Sequence, residues 1–201
     1  MESIASVDSL VVQQIKENVE IFTSFETANK YRVCSVNGAE LFYAAELGGS
    51  FLMRQFLNNL RPFEIKVTSP NGSEGVVLKR PFRFYFHELE VQDTGGVHLG
   101  TVKRKFSWLR RVFQVLDAQG HERFQLFGPL LKPWTFFIKR GDREVGKITK
   151  KWSGALKEAF TDADNFGVTF PADLPVAEKS LLLGAVFLID FAYFEKSNRS
   201  S

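Results

Sequence analysis

Hydrophobic and polar positions alternate with a period of two through most of this chain, and turn residues interrupt the alternation at regular intervals. Tyr31, Val33 and Ser35 alternate with Arg32 and Cys34; Asn37-Gly38 follows, and residues 39–46 resume as Ala-Glu-Leu-Phe-Tyr-Ala-Ala-Glu. Asn-Gly between two strand-like runs is a strong hairpin signal, because both residues tolerate positive φ. The same figure recurs at residues 63–68 and 75–79 around Pro70-Asn71-Gly72, and at 82–91 and 97–103 around Asp93-Thr94-Gly95-Gly96. It recurs again at 111–116 and 122–127 around Asp117-Ala118-Gln119-Gly120, and at 134–139 and 144–150 around Arg140-Gly141-Asp142. Residues 9–15 read as a first strand and 19–25 as a second short element. Turns spaced about 8–12 residues apart, with no helical stretch between strands, predict an antiparallel meander folded as a sandwich or barrel.

One stretch breaks the period. Leu181, Leu182, Leu183, Gly184, Ala185, Val186, Phe187, Leu188, Ile189, Asp190 and Phe191, continued by Ala192, Tyr193 and Phe194, carry a single charge, Asp190. The run has no solvent face. As a helix, residues 181–194 would be roughly 21 Å long, short against a bilayer core of about 30 Å. That length fits a helix buried within the protein. A sandwich has no room for it, whereas a barrel of about twelve strands does, and closure also hides the strand edges. The predicted fold is therefore mainly β: a closed antiparallel β-barrel around a central hydrophobic C-terminal α-helix, with Pro175 at or just before its first turn. Residues 153–160 read as a short helix or turn. No linker or clean repeat divides the chain, so residues 1–201 form one domain, with 1–8 and 196–201 expected as disordered tails.

Composition adds three points. Hydrophobic content of 44% and charged content of 24% over 201 residues describe a globular chain with a sizeable core. The 21 phenylalanines suit a thick β core or a surface that enters lipid. A net charge of +3 permits anionic partners without requiring them. Cys34 is the single cysteine, so no internal disulfide forms, as in a reducing compartment. The first residues show no signal-peptide pattern, and Glu2 stands where N-myristoylation needs glycine.

The densest basic stretch is Lys103, Arg104, Lys105, Phe106, Ser107, Trp108, Leu109, Arg110 and Arg111. Basic charge interleaved with aromatics suits anionic headgroups. Single-stranded nucleic acid offers the same chemistry, and a solvated hairpin connection is the plain alternative. Lys147, Lys150 and Lys151 extend the patch. Asp190, if buried, needs a partner such as an Arg or Tyr. His87, His98 and His121 fall on different strands with no metal spacing, and no GxSxG, HExxH, Walker or GxGxxG motif is present. Covalent catalysis has no support.

Residues 147–195, with GKITKKWSGALKEAFTDADNFGVTFPADL followed by LLLGAVFLIDFAYFE, closely resemble the C-terminal part of the phospholipid scramblase family. Residues 25–31, 43–46 and 61–63 and Arg80-Pro81 resemble further landmarks in the family's order, so the resemblance covers residues 9–195. It implies a tubby-like fold, a twelve-stranded barrel around a hydrophobic helix. It also implies calcium-stimulated, ATP-independent, bidirectional movement of phospholipids between leaflets, at the cytoplasmic side of a membrane.

The family's calcium motif corresponds to residues 162–173, a twelve-residue run with Asp162, Asp164, Asn165, Phe166, Val168 and Asp173 as the implied ligand set. Calcium takes six to eight oxygens and Gly167 permits a tight turn. Phe166 has no side-chain oxygen and Asp173 replaces a longer bidentate Glu, so the expected site is weak. The alternative is a polar turn leading into a strand over 166–170. Animal members carry cysteine clusters, some lipidated, near positions occupied here by residues 51–57 and 82–86, and a proline-rich N-terminal extension. Lipid anchoring and proline-directed partners are therefore not carried over. Phe51, Leu52, Met53, Phe56 and Leu57 are expected either to insert into the membrane surface in place of the anchor or to pack under a loop. Two other functions remain open: a soluble tubby-like module that binds phosphoinositides, anionic membranes or a protein without scrambling, and, more weakly, a DNA-binding regulator.

Overall fold

The computed structural model describes residues 1–15, 29–47, 62–82, 87–108, 110–150 and 165–194. Among these, the alternating stretches form twelve strands: β1 (Ser9–Ile15), β2 (Lys30–Ser35), β3 (Glu40–Leu47), β4 (Phe63–Thr68), β5 (Gly75–Arg80), β6 (Glu88–Asp93), β7 (His98–Lys105), β8 (Arg111–Asp117), β9 (Glu122–Gly128), β10 (Thr135–Arg140), β11 (Arg143–Lys150) and β12 (Asn165–Thr169). Each strand pairs antiparallel with the next. β1 also pairs with β12, with Ser9 opposite Thr169 and Gln13 opposite Asn165, so the sheet closes into a barrel. Every second side chain faces the axis: Leu10 and Val12, Ile65 and Val67, Phe113 and Val115, and Phe136 and Ile138 are buried in one cluster with the helix.

The helix α1 (Val176–Tyr193) fills the bore, and its residues from Glu178 through Phe191 are all buried. It has 18 residues, about 27 Å, and starts directly after Pro175, where the sequence placed its first turn. Its first turns carry Glu178, Lys179 and Ser180, ahead of the apolar run. Each is buried with partners. Glu178 accepts from Arg123 Nε and Arg140 Nη2, both at 2.7 Å. Ser180 Oγ donates to the Val176 carbonyl at 2.8 Å. Lys179 Nζ lies within 3.0 Å of the carbonyl oxygens of Ile4, Ala5, Val7 and Ala172.

That last contact corrects the expected disordered tail at residues 1–8. Glu2–Ile4 form a 3-10 turn, Ile4 is fully buried, and three of the carbonyls that hold Lys179 belong to this segment. The readings placed on residues 19–25, 153–160 and 196–201 lie outside the described residues. The run at 82–91 resolves into β6, which starts at Glu88; residues 83–86 are not described.

The two ends of the barrel differ. At one, β2–β3, β4–β5, β6–β7, β8–β9 and β10–β11 are joined by tight turns such as those at Gly38 and Gly120, both with φ of 83°. No atom would meet a Cβ at either position, so glycine serves the backbone there. At the other end lie the longer connections, including 106–110 between β7 and β8 and 129–134 between β9 and β10. α1 enters from the tight-turn end and finishes at this second end, the mouth, where Phe194 stacks on Trp134 with ring centroids 5.3 Å apart.

Candidate functional site

The basic stretch at 103–111 is divided by the strand period. Lys103 and Lys105 stand on the outer side of β7. Arg104 and Arg111 share the inward parity of Val102 and Phe113 and lie at the mouth, with guanidinium groups 5.6 and 5.5 Å from the Tyr193 ring. Both therefore meet the C-terminal end of α1, where the helix dipole favours cations. Arg111 has a second task. Its Nη1 donates to the Pro133 carbonyl at 2.6 Å, and its Nη2 to Pro129 and Lys132 at 3.1 Å each, while its plane lies 4.6 Å over Phe136. Burial pushes its pKa down, partly offset by Tyr193. Arg111 thus braces the β9–β10 connection, while Lys103, Lys105 and Arg110 remain on the outer surface.

That bracing exposes apolar residues the hydropathy pattern did not single out. Leu130 is 64% and Leu131 96% exposed, beside Trp108 at 89% and Phe106 at 69% on the neighbouring β7–β8 connection. Just below, on the outer face, Phe127 sits opposite Phe137, with Arg110 and Lys139 over the first ring and Lys132 over the second. The mouth is therefore rimmed by exposed apolar tips with cations next to them. Among the described residues, the tight-turn end exposes only Val36 and Val97 of the large hydrophobics. Two leucines in a loop carry no periodic signal; the Pro129 and Pro133 that bracket them were the available clue.

Lys150, counted with the surface patch from the sequence, is instead 3% exposed. It faces inward, with Nζ 3.9 Å from Asp190 Oδ1 and 4.6 Å over the Phe194 ring. Tyr31 Oη donates to the other Asp190 oxygen at 3.0 Å. The expected tyrosine partner is present, and the cation is a lysine rather than an arginine. Lys147 is exposed, while Lys151 is not described.

The described members of the implied calcium set, Asn165, Phe166, Val168 and Asp173, do not gather at one point. Residues 165–169 are β12, paired on both sides: Phe166 with Val12 and Lys150, Val168 with Leu10 and Ile148. The Phe166 and Val168 side chains are in the core, and their backbone lies within the ladder. Asp173 lies beyond the far end of the strand, past a four-residue step of roughly 13 Å from Asn165 to Thr169. Within the twelve-residue run, residues 165–169 are therefore a wall strand rather than a loop. At the mouth end, Asn165 is 1% exposed and neither Oδ1 nor Nδ2 has a hydrogen-bond partner among the described residues. Asp162, Asp164 and the candidates Phe51, Leu52, Met53, Phe56 and Leu57 lie outside the described residues. No group of three or more His, Cys, Asp or Glu suited to a metal occurs among the described residues. No helix among them is long and apolar enough to cross a membrane.

His87 lies beside the mouth, its Nδ1 2.6 Å from Arg80 Nη2. Burial, with Arg80 and Arg104 nearby, lowers its pKa to about 4, so it is neutral at neutral pH.

A closed twelve-stranded barrel threaded by one helix is the arrangement that the resemblance implied, and comparison with known proteins agrees. A family model of scramblases matches residues 1–196, and this chain belongs to the scramblase family. Mouse phospholipid scramblase 1 is 36% identical over 98% of this chain and 64% of its own length. Human phospholipid scramblase 2 is 34% identical over 98% of this chain and 71% of its own, and human phospholipid scramblase family member 5 is 32% identical over 98% and 78%. The chain thus spans about two thirds of the length of such relatives. An X-ray structure of an Arabidopsis thaliana protein, 14% identical, superposes with a TM-score of 0.52 over 94% of this chain and 96% of that one, which shows the fold alone.

Proposed function

We propose that this chain moves phospholipids between the leaflets of a bilayer, in both directions and without ATP, working from the cytoplasmic surface. The observation that carries the reading is the rim: in a family whose named relatives are phospholipid scramblases, one end of this barrel concentrates exposed apolar tips and cations. Lys103, Lys105 and Arg110 supply charge for anionic headgroups, each worth on the order of 1 kcal/mol near such a surface. Arg104 lies at the mouth beside them. Movement down a gradient breaks no covalent bond, so it needs neither nucleophile nor general acid.

Calcium is the proposed stimulus, through a set narrower than the twelve-residue loop. Asn165, directly after Asp164 and three residues after Asp162, offers a buried side-chain oxygen without a hydrogen-bond partner among the described residues, and these residue types suit a hard cation. Phe166, Val168 and Asp173 take no part in it.

The filled bore favours a second reading, a surface module that binds anionic membranes and scrambles nothing, because α1 leaves no passage for a headgroup. Proteoliposomes carrying a fluorescent phospholipid, quenched from outside, separate the two. Calcium-dependent loss of the protected fraction, abolished by Asp162→Ala with Asp164→Ala, is expected. A folded, vesicle-bound protein that leaves the protected fraction intact would establish the surface module instead.

A further inference from the structure

We infer that the β9–β10 connection is a membrane-penetrating tip: Leu130 and Leu131 enter the apolar layer of an anionic bilayer, and the barrel stands on its mouth with α1 ending at the interface. This rests on the lipid-surface reading above and deepens it.

Three observations carry it. First, the tip is built. Three hydrogen bonds from one guanidinium hold the carbonyls of Pro129, Lys132 and Pro133 from below, while the leucines between them are exposed. A loop that turns three of its carbonyls inward and presents its largest apolar side chains to solvent has lowered part of the cost of entering lipid, which is unsatisfied backbone. Second, the surroundings match an interface in order of depth. Leu131 is the most exposed large apolar side chain among the described residues; Trp108 and Phe106 stand beside the tip, and Lys105, Arg110 and Lys132 are exposed next to them. Aromatic rings at headgroup level with basic residues alongside are how proteins sit at an anionic surface. Third, among the described residues the opposite end, with tight turns built on Gly38 and Gly120, exposes no aromatic ring or leucine, only Val36 and Val97 of the large hydrophobics. Isolated protruding tips with cations beside them fit a fluid anionic layer better than a shaped protein pocket, which prefers a contiguous patch.

The membrane contact then has two separable parts. Headgroup attraction is screened by salt. Insertion of two leucines is not, and its removal lowers partition at least about tenfold at any salt.

The test uses vesicles of phosphatidylcholine with phosphatidylserine. Cys34 is buried and its thiol is pushed up to about 11 by burial, Glu40 adding to this, so it stays unreactive and Leu131→Cys can be labelled selectively with an environment-sensitive fluorophore. Gln119→Cys, in the β8–β9 turn at the far end, is the control. On adding vesicles the label at 131 is expected to shift to the blue and to be quenched by nitroxide lipids, while the label at 119 does neither. Leu130→Ser with Leu131→Ser, both on the surface and outside the core, is expected to fold normally and bind at least about tenfold more weakly in high salt. Wild-type binding with no quenching at 131, or with the double serine variant binding as wild type, overturns the penetrating tip and leaves the lipid-surface reading standing. Quenching at 119 rather than 131 overturns the orientation. No sedimentation of wild type with the vesicles overturns both readings.

Discussion

Lys179 concentrates more of the barrel's order in one side chain than any other polar residue described. Its ammonium has three protons, four carbonyl oxygens lie within 3.0 Å, and it has no exposed surface. Lys179→Met keeps the stem and orphans carbonyls from Ile4, Ala5, Val7 and Ala172. The expected loss is at least about 3 kcal/mol, read as a lower urea midpoint with loosening of the first eight residues in hydrogen exchange; an unchanged midpoint would show that water replaces the ammonium. His87 sets a pH dependence. Its folded pKa of about 4 lies below the ordinary value of 6.5, so the unfolded chain binds the extra proton first. Stability from this group is complete above about 6.5 and is lost as pH falls toward about 4. His87→Gln, whose carbonyl can still accept from Arg80, is expected to flatten the stability profile across that window. An equally steep profile would assign the acid sensitivity to the carboxylates. Asp190 was legible as a residue in need of a partner, because a lone charge in an apolar run must be satisfied. Which partner was not legible, since Tyr31 and Lys150 meet it only through barrel closure.

At the scale of the element, strands were readable and the ends of special segments were not. Period-two alternation and turn residues place β4, β5, β8, β9 and β11 within a residue or two, because each strand is wet on one face and dry on the other. α1 was recognised by its lack of a wet face, and Pro175 marked its start; what was not legible was the burial of Glu178 and Lys179, which depends on Arg123, Arg140 and the N-terminal turn, all remote in sequence. Spacing did not reveal the strand at residues 165–169 for a related reason. Acidic residues at loop-like intervals say nothing about a strand that runs between them, and β12 is held by both neighbours. Within α1, Gly184 lets the helix approach the wall. A Cβ there would lie 3.0 Å from Val91 Cγ2 and 3.4 Å from Leu78 Cδ2, both side-chain ends able to give. Gly184→Ala is expected to be near neutral, since a gain of up to about 1 kcal/mol in helix propensity offsets the crowding. Gly184→Val is expected to cost about 1–3 kcal/mol by overpacking, measured by thermal unfolding. A tolerated valine would show slack between α1 and the wall.

For the whole molecule, the question is whether the central helix ever leaves. α1 is about 27 Å long, and its first turns hold Glu178 and Lys179 while Asp190 lies near its last. Moving Lys179 and Asp190 from their partners into hydrocarbon costs about 2.5–3.5 kcal/mol each on insertion scales, and the barrel it left would hold an empty bore lined by core residues. The cheaper arrangement keeps α1 in place and lets the rim disturb the bilayer from outside. A cross-link decides between them. Gly184 and Val91 face each other closely enough for Gly184→Cys with Val91→Cys to bridge helix and wall, and Cys34, buried with its thiol pushed up to about 11, does not compete. If the proposed lipid movement takes place at the mouth, the oxidised and reduced forms are expected to bind vesicles and scramble lipid at the same rate. If oxidation abolishes scrambling and binding persists, the helix must come out of the barrel for lipid to move, and the buried charges at its ends become the latch that holds it until it does.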